Sequence, residues 1–208
     1  LRGKDVIAVS QGVAKELEAN KSLAFASIQT IYNPVDIDTI VSLSRQNEPS
    51  AQVPDTPYII HIGRFAKQKR HDILFEMMRA WPDSPKLLLL TPQSDKLARK
   101  IQHYGLSNKV EISGFQQNPY PFIRAAQALV LCSDYEGFGL VIAEALACGT
   151  PVVSTDCPHG PNELLTGSLQ QYLVPRNAPS ALKLALCKAI NRSDDFVVVL
   201  FNFLIVLR

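Results

Sequence analysis

The sequence predicts an α/β protein built on a doubly wound parallel sheet. Short, continuous apolar runs, such as residues 58–62, 86–90 and 128–132, are typical of strands that are buried on both faces. Segments with helical periodicity separate these runs, and Gly105 and Gly149 stand where two of the predicted helices end. Strands that alternate with helices in this way favour parallel pairing through crossover connections.

The start of the chain carries fewer signals. Residues 6–10 form the end of a predicted strand, and Ser10 is placed to cap a helix that continues through Leu17. Pro34 and the polar segment 44–57 mark a boundary or an insertion. We therefore expect the regular sheet to begin after this segment.

From residue 58 onward, strand and helix patterns alternate. In chain order the predicted elements are strand 58–62, helix 70–81, strand 86–90, helix 95–104, strand 110–112, helix 120–126, strand 128–132, helix 140–147 and strand 152–154. Ligands of such sheets bind beyond the carboxyl ends of the strands. Gly63-Arg64 and the segment 133–139 each follow a strand directly, so we expect both to lie at that edge.

The composition fits one α/β domain with a piece of another. A chain of 208 residues that is 47% hydrophobic can bury the core that such a domain needs. The net charge of +2 gives no large basic field, so nucleic acid is not an expected partner. The four cysteines show no metal-ligand spacing, and we expect them to be reduced cytoplasmic thiols: Cys132, Cys148, Cys157 and Cys187.

The most informative stretch begins at Glu136. Glu136 and Glu144 bracket a glycine-rich turn at the start of a predicted helix. Glycine lets backbone N–H groups come close to a ligand, and a helix N-terminus favours an anion. Carboxylates accept hydrogen bonds from vicinal hydroxyls. The pattern therefore indicates a ligand that carries both hydroxyls and phosphate, as a sugar nucleotide does.

This stretch and its flanks resemble the donor-binding domain of the retaining glycosyltransferases of family 4. The signature is two glutamates separated by seven intervening residues, with Gly-Phe-Gly after the first and Cys-Gly-Thr-Pro-Val-Val at the end, here Glu136 to Val153. Three other segments match in the family's order: Tyr32-Asn33-Pro34-Val35-Asp36, Gly63 to Lys69, and Asp156 to Leu165 with its Gly-Pro-x-Glu. The resemblance implies a GT-B fold of two facing Rossmann-like domains, of which this chain supplies the donor-binding half.

The resemblance also assigns roles around the two glutamates. Glu136 is expected to be the catalytic-site carboxylate, holding hydroxyls of the donor sugar, and Glu144 to hold the ribose hydroxyls. The turn is expected to bind the sugar or the phosphates through its backbone, at Gly137, Phe138, Gly139 and Leu140. Without the resemblance, Glu136 would be interpreted as an exposed loop acid and Glu144 as an exposed residue in the first helical turn.

Two cations after Gly63 are candidates for the diphosphate. Arg64 and Lys69 can offset the charge of a leaving nucleoside diphosphate, so neither a metal ion nor a cofactor is expected. The alternative is a solvated charge run before the next helix. The nucleotide base is expected near Gly114 and Phe115, which follow the strand 110–112.

Other polar residues have structural interpretations. Asp36 and Asp38 stand at the start of a predicted helix, where carboxylates complement the helix dipole, and not at a metal site. We expect satisfied structural histidines at His61, His71, His103 and His159, because their sequence separations are not those of metal ligands. Glu163 is either functional or a capping or positioning residue for a short helix after Pro161.

By resemblance the chain divides into four parts. Residues 1–34 are a remnant of an N-terminal acceptor domain, 35–57 a linker, 58–191 the nucleotide-sugar-binding domain and 192–208 an atypical hydrophobic tail. The segment 196–207 is apolar except for Asn202, and as a helix it is too short to span a bilayer. Our hypothesis is that this tail is a foreign ending from a frameshift or a truncated gene.

The implied function is transfer of a sugar, with retention, from a UDP or GDP sugar to a glycan or lipid-linked acceptor. Such enzymes serve lipopolysaccharide or polysaccharide biosynthesis in the cytoplasm, and peripheral contact with the membrane is left open. Because most of an acceptor domain is missing, we expect a fragment that is inactive by itself. Two alternatives remain, an inactive nucleotide-sugar-binding remnant and a GT-B sugar-nucleotide epimerase. The sequence does not determine the sugar, the acceptor or the linkage.

Overall fold

A computed structural model describes residues 3–46 and 53–191 of the chain. The strands are β1 (Asp5–Ala8), β2 (Ser27–Thr30), β3 (Tyr58–Ile62), β4 (Lys86–Leu90), β5 (Val110–Ile112), β6 (Ala128–Leu131), β7 (Val152–Thr155) and β8 (Leu173–Val174). The helices are α1 (Gln11–Ala19), α2 (Ile37–Ser44), α3 (His71–Arg79), α4 (Asp95–His103), α5 (Tyr120–Ala125), α6 (Leu140–Ala147), α7 (Pro161–Leu164) and α8 (Pro179–Asn191). Two 3₁₀ segments, Lys67–Lys69 and Gly167–Tyr172, complete the description.

The predicted doubly wound parallel sheet is confirmed. Six parallel strands lie in the order β5-β4-β3-β6-β7-β8. The chain runs outward from β3 to the β5 edge, returns to the middle at β6, and then runs to the other edge. The strand order therefore reverses between β3 and β6, and this switch point is where ligands of such sheets bind.

Helices cover the sheet in two groups. Helix α3 contacts α8, while α2, α5 and α6 contact one another. Strands β6 and β7 are buried along their whole length, as their continuous apolar sequences predict for central parallel strands. The rigid core thus lies below the loops that follow these strands.

The predicted elements after residue 58 are confirmed, with small differences at their ends. Helix α3 stops at Arg79, two residues before the predicted end, and Trp81 follows as a half-buried loop residue. The short helix expected after Pro161 is confirmed as α7, whereas the sequence patterns did not predict β2, β8, α8 or the two 3₁₀ segments. Most of these are short, and strand β8 has only two residues, too few for a periodic signal.

Helix α2 lies inside the range that was predicted to be a linker. The carboxylate of Asp36 caps it by accepting the N–H of Thr39 at 3.0 Å, and Asp38 lies in its first turn. The prediction that these acids start a helix is therefore confirmed. Ile40 is only 5% exposed and belongs to the main core, so α2 packs as part of the domain.

Residues 3–34, called the N-terminal unit here, form a small layer of their own. Strands β1 and β2 pair in parallel, with Asp5 opposite Ser27, and α1 connects them. Ser10 accepts the N–H of Val13 at 3.2 Å, which confirms the predicted cap. The predicted tail 192–208 lies outside the described residues, and no helix within residues 3–46 or 53–191 is long and apolar enough to cross a bilayer.

Candidate active site

The candidate site lies at the switch point of the sheet. Strands β3 and β6 are neighbours, with Ile59 opposite Ala128, and each is followed by a loop that carries predicted site residues. The β3 loop contains Gly63, Arg64 and Lys69, and the β6 loop leads to Glu136 and α6. The sequence correctly placed both loops at one edge of the sheet.

Lys69 and Glu136 meet directly across this point. The ammonium nitrogen of Lys69 lies 2.6 Å from Oε1 of Glu136, and the hydroxyl of Ser133 donates to the same oxygen at 2.5 Å. Glu136 is 9% exposed, so it is not an exposed loop acid. Lys69 is half-buried, so it does not belong to a solvated charge run. A cation and a carboxylate are thus held together beyond the carboxyl ends of β3 and β6.

Bonds between the two loops fix this separation. The N–H of Asp134 donates to the carbonyl of Gln68 at 2.8 Å, and the Gln68 amide donates to the carbonyl of Tyr135 at 2.5 Å. Arg70 binds both Asp72 and Asp134, and these carboxylates raise the pKa of its guanidinium. The position of Lys69 relative to Glu136 is therefore set by the protein before any ligand arrives.

Helix α6 begins at the same place with an open N-terminus. Its N-cap is Gly139, at φ +83°, a conformation that glycine adopts without strain. No side chain caps the helix and no acid lies in its first turn. A helix N-terminus of this kind has free N–H groups and a partial positive charge.

These elements enclose a cleft of about 370 Å³. Its lining residues are Val9, Asn33, Ile62, Lys69, Glu136, Gly137, Phe138, Gly139, Leu140, Val141 and Glu144. The N-terminal unit supplies Val9 and Asn33, so the cleft lies between that unit and the main sheet. The sequence reasoning did not single out Val9 or Ser133 for the site.

Glu144 lies deeper in this cleft than its alternative interpretation implies. It is the fifth residue of α6, in the second turn, and it is half-buried. Burial raises the pKa of the Glu144 carboxyl, and a hydrogen bond with Tyr120 opposes that shift. The interpretation as an exposed residue of the first turn is therefore wrong.

Four other predicted site residues, Gly63, Arg64, Gly114 and Phe115, are not among the residues that line this cleft. Arg64 is exposed, and the structure shows no ion pair or side-chain hydrogen bond for it among the described residues. Gly114 follows the edge strand β5, and Phe115 beside it is 82% exposed. Gly63 is held from below, because the buried Thr91 hydroxyl donates to its carbonyl at 2.7 Å. Thr91 follows β4 directly. Its position, a polar residue at the end of a buried strand, is the sequence signal that could have identified it as a support of the β3 loop.

Two histidines lie under the β3 loop. His61 and His71 are buried with their ring centroids 4.8 Å apart, and His61 Nδ1 contacts the carbonyl of Val130 at 2.9 Å. His61 Nε2 and both ring nitrogens of His71 have no hydrogen-bond partner among the described residues. The expectation of fully satisfied histidines is thus wrong here. Burial lowers the pKa of His61 to about 4 and that of His71 to about 3.

Glu163 has a capping role, although not for its own helix. Its carboxylate accepts the N–H groups of Gln11 and Gly12 at the start of α1 and the hydroxyl of Tyr32, each at 2.9 Å. His159 nearby pairs with Glu16 of the same helix. This segment therefore connects the main domain to the N-terminal unit.

A doubly wound parallel sheet with a polar cleft at its switch point defines a Rossmann-like α/β domain. The model of the family "Glycosyl transferases group 1" matches residues 44–195. The chain belongs to this family.

The curated relatives described here are named as glycosyltransferases. Lipopolysaccharide 1,6-galactosyltransferase of Escherichia coli K12 is 29% identical over 178 residues, which cover 80% of this chain and 47% of the relative. A Campylobacter jejuni N-acetylgalactosaminyltransferase, named for an undecaprenol-linked substrate, is 30% identical over 157 residues, or 74% of this chain and 42% of the relative. The chain thus spans about half the length of the curated relatives it matches.

Solved structures share the fold. A glycosyltransferase of Rickettsia africae aligns with a TM-score of 0.83 at 20% identity, over 98% of this chain and 59% of that one. The Anabaena protein Alr3699/HepE, solved with UDP and glucose, aligns with a TM-score of 0.77 at 22% identity, over 94% of this chain and 58% of that one.

Proposed function

We propose that this chain is the donor-binding part of a retaining glycosyltransferase of family 4, which transfers a sugar from a UDP or GDP sugar to a glycan or lipid-linked acceptor. The observation that carries the proposal is the arrangement of Lys69, Glu136 and the open start of α6 around one cleft at the switch point. Cationic and anionic groups stand side by side there, which suits a ligand with both phosphates and hydroxyls.

The phosphates fit the positive side of the cleft. The free N–H groups at the start of α6 and the ammonium of Lys69 attract a diphosphate and offset the charge it gains on leaving. Arg64 is exposed in the same β3 loop and can turn toward the ligand. In this proposal a diphosphate oxygen competes with Glu136 for Lys69.

The hydroxyls fit the two carboxylates. Glu136, released in part from Lys69, accepts hydroxyls of the donor sugar, and Glu144, one turn into α6, accepts those of the ribose. Burial of Glu144 makes such hydrogen bonds stronger than they would be in water. Gly137 and Phe138, which lie between the two glutamates in the sequence, also line the cleft.

Calorimetric titration with UDP, GDP and their sugars tests the proposal. We expect the chain to bind one nucleoside diphosphate, and Glu144→Gln to weaken that binding by roughly tenfold, the value of one charge-assisted hydrogen bond. Glu111→Gln, an exposed carboxylate on the edge strand β5, is the matched control. No binding of either diphosphate, or equal losses for both variants, would contradict the assignment.

A further inference from the structure

Glu163 satisfies the start of helix α1 from the other side of the chain. Oε2 accepts the N–H of Gln11 and Oε1 that of Gly12, both at 2.9 Å. Ser10 takes the N–H of Val13, so the first three N–H groups of α1 are all bonded. Helix α1 has no acid in its own first turn. A carboxylate more than 150 residues away thus supplies the negative charge that this helix start favours.

The same carboxylate also holds the segment that leads to the cleft. Tyr32 donates its hydroxyl to Oε2 of Glu163, and the Tyr32 ring lies 5.6 Å from that of Phe138, centroid to centroid. Phe138 belongs to the turn before α6, and Asn33, next to Tyr32, lines the cleft. Glu163 therefore bonds close in the chain to both cleft residues of the N-terminal unit, since Val9 lies two residues before Gln11 and Asn33 follows Tyr32.

Two glycines make this close packing possible. A Cβ atom at Gly12 would lie 2.7 Å from Nδ1 of His159 and 3.3 Å from Oε1 of Glu163. A Cβ atom at Gly160 would overlap the carbonyl oxygen of Phe138. The segment 159–163 is therefore pressed between α1 and the turn that starts α6.

We propose that Glu163 is a positioning residue that couples the donor turn at Phe138 to the N-terminal unit. A ligand that orders the turn also orders α1, because Gly160 and Glu163 transmit the position of Phe138 to Gln11 and Gly12. In a two-domain enzyme this contact sets where the N-terminal side of the cleft stands when the donor site is filled. The inference rests on the proposed function for its ligand, a nucleoside diphosphate.

Hydrogen exchange measured by mass spectrometry, with and without saturating UDP or GDP, tests the coupling. In the unsubstituted chain we expect the diphosphate to slow exchange both at residues 136–144 and at residues 10–19. In Glu163→Gln an amide NH₂ faces one of the two backbone N–H groups. We expect α1 to exchange roughly tenfold faster in this variant, and the diphosphate to slow residues 136–144 only.

Gly12→Ala gives an independent arm if Glu163→Gln does not fold. Alanine is the better helix former, so propensity alone would slow the exchange of α1. The contact with His159 and Glu163 instead predicts faster exchange of α1 and loss of its response to the diphosphate. Glu111→Gln, which makes the same charge change on the far edge of the sheet, should behave as the unsubstituted chain.

The outcomes separate this inference from the proposed function. The coupling is wrong, and donor binding stands, if the diphosphate slows exchange at residues 136–144 but never at α1. The same holds if it slows exchange at α1 as much in the Glu163 and Gly12 variants as in the unsubstituted chain. If neither UDP nor GDP slows residues 136–144 in the unsubstituted chain, the proposed function fails and the coupling fails with it.

Discussion

Lys69 Nζ lies 2.6 Å from Glu136 Oε1, so the cation and the carboxylate proposed to hold opposite parts of one ligand neutralise each other in the free protein. Both side chains are largely buried, and Ser133 bonds the same carboxylate oxygen. A partly buried pair of this kind is costly to break from one side only. The effects of substituting either residue must therefore be predicted from the pair.

Glu136→Gln should separate the sugar from the diphosphate. The substitution removes the charge that holds Lys69, so we expect UDP to bind at least as tightly as before. The intact nucleotide sugar should lose its gain over UDP by roughly tenfold, since an amide replaces a charged acceptor. Calorimetry with both ligands measures the ratio. A loss of UDP affinity as large as the loss for the nucleotide sugar would show that Glu136 acts on the diphosphate.

Lys69→Met should weaken UDP much more than uridine. Methionine keeps the length of the side chain, so the loss reports the ammonium, worth about 1.5 to 3 kcal/mol per charge-assisted bond. It also leaves Glu136 without its cation, and the chain should become less stable. The double variant Lys69→Met with Glu136→Gln should recover that stability while UDP affinity stays low. If stability and affinity recover together, Lys69 acts only through Glu136.

Arg64→Ala should weaken UDP without changing stability. The side chain is exposed and has no ion pair or side-chain hydrogen bond among the described residues, so its removal disturbs little in the free protein. We expect a smaller loss than for Lys69→Met, because Arg64 must first be ordered by the ligand. Arg99, an exposed arginine on α4, is the control for loss of positive charge. An equal effect of Arg64→Ala and Arg99→Ala would exclude a direct phosphate contact.

The buried histidines should make the protein sensitive to acid. The pKa of His61 falls from 6.5 to about 4 on folding. Between these two pH values the unfolded chain binds a proton at His61, whereas the folded chain does not. His61 therefore does not reduce the free energy of unfolding above pH 6.5. As the pH falls from 6.5 toward 4, this free energy decreases by on the order of 3 kcal/mol for this group. His71, whose pKa is lowered to about 3, acts in the same direction.

His71→Phe provides the test for this pH dependence. Phenylalanine suits the edge contacts that His71 makes with Phe65 and Phe75, and it removes two ring nitrogens that lack partners among the described residues. We expect a higher free energy of unfolding and a flatter pH dependence between pH 6.5 and 4 in urea denaturation. An unchanged slope would show that other groups cause the acid sensitivity.

Gly160 and Gly149 form a matched pair for the packing around the donor turn. Both have positive φ, at +94° and +76°, but a Cβ at Gly149 meets nothing within 4 Å, whereas one at Gly160 overlaps the Phe138 carbonyl. Gly149→Ala should therefore cost only the left-handed conformation, about 1 to 2 kcal/mol. Gly160→Ala should cost clearly more in thermal unfolding and should also weaken UDP. Equal costs would mean that the turn at Phe138 moves freely.

Much of this protein could be predicted from local patterns. Apolar runs such as 87–90 and 128–131 predicted buried parallel strands, because a strand whose two faces both lie in the core has a continuous apolar sequence. The rule that parallel strands end at one edge placed the Gly63 and Glu136 loops together. The helix starts at Ser10 and Asp36 followed from side chains that bond their own neighbours.

Only the tertiary structure decided the contacts between distant segments. Lys69 pairs with Glu136, which is 67 positions away in the sequence. Glu163 pairs with Gly12, which is 151 positions away. No sequence periodicity records contacts over such separations. The burial of Glu144 and of His71 likewise depends on which helices pack above them. Local propensity is set by neighbours in the chain, so the sequence by itself determined the elements and the edge at which they meet. Which charged side chains meet across that edge, as Lys69 and Glu136 do, is set by how the elements pack in the folded chain.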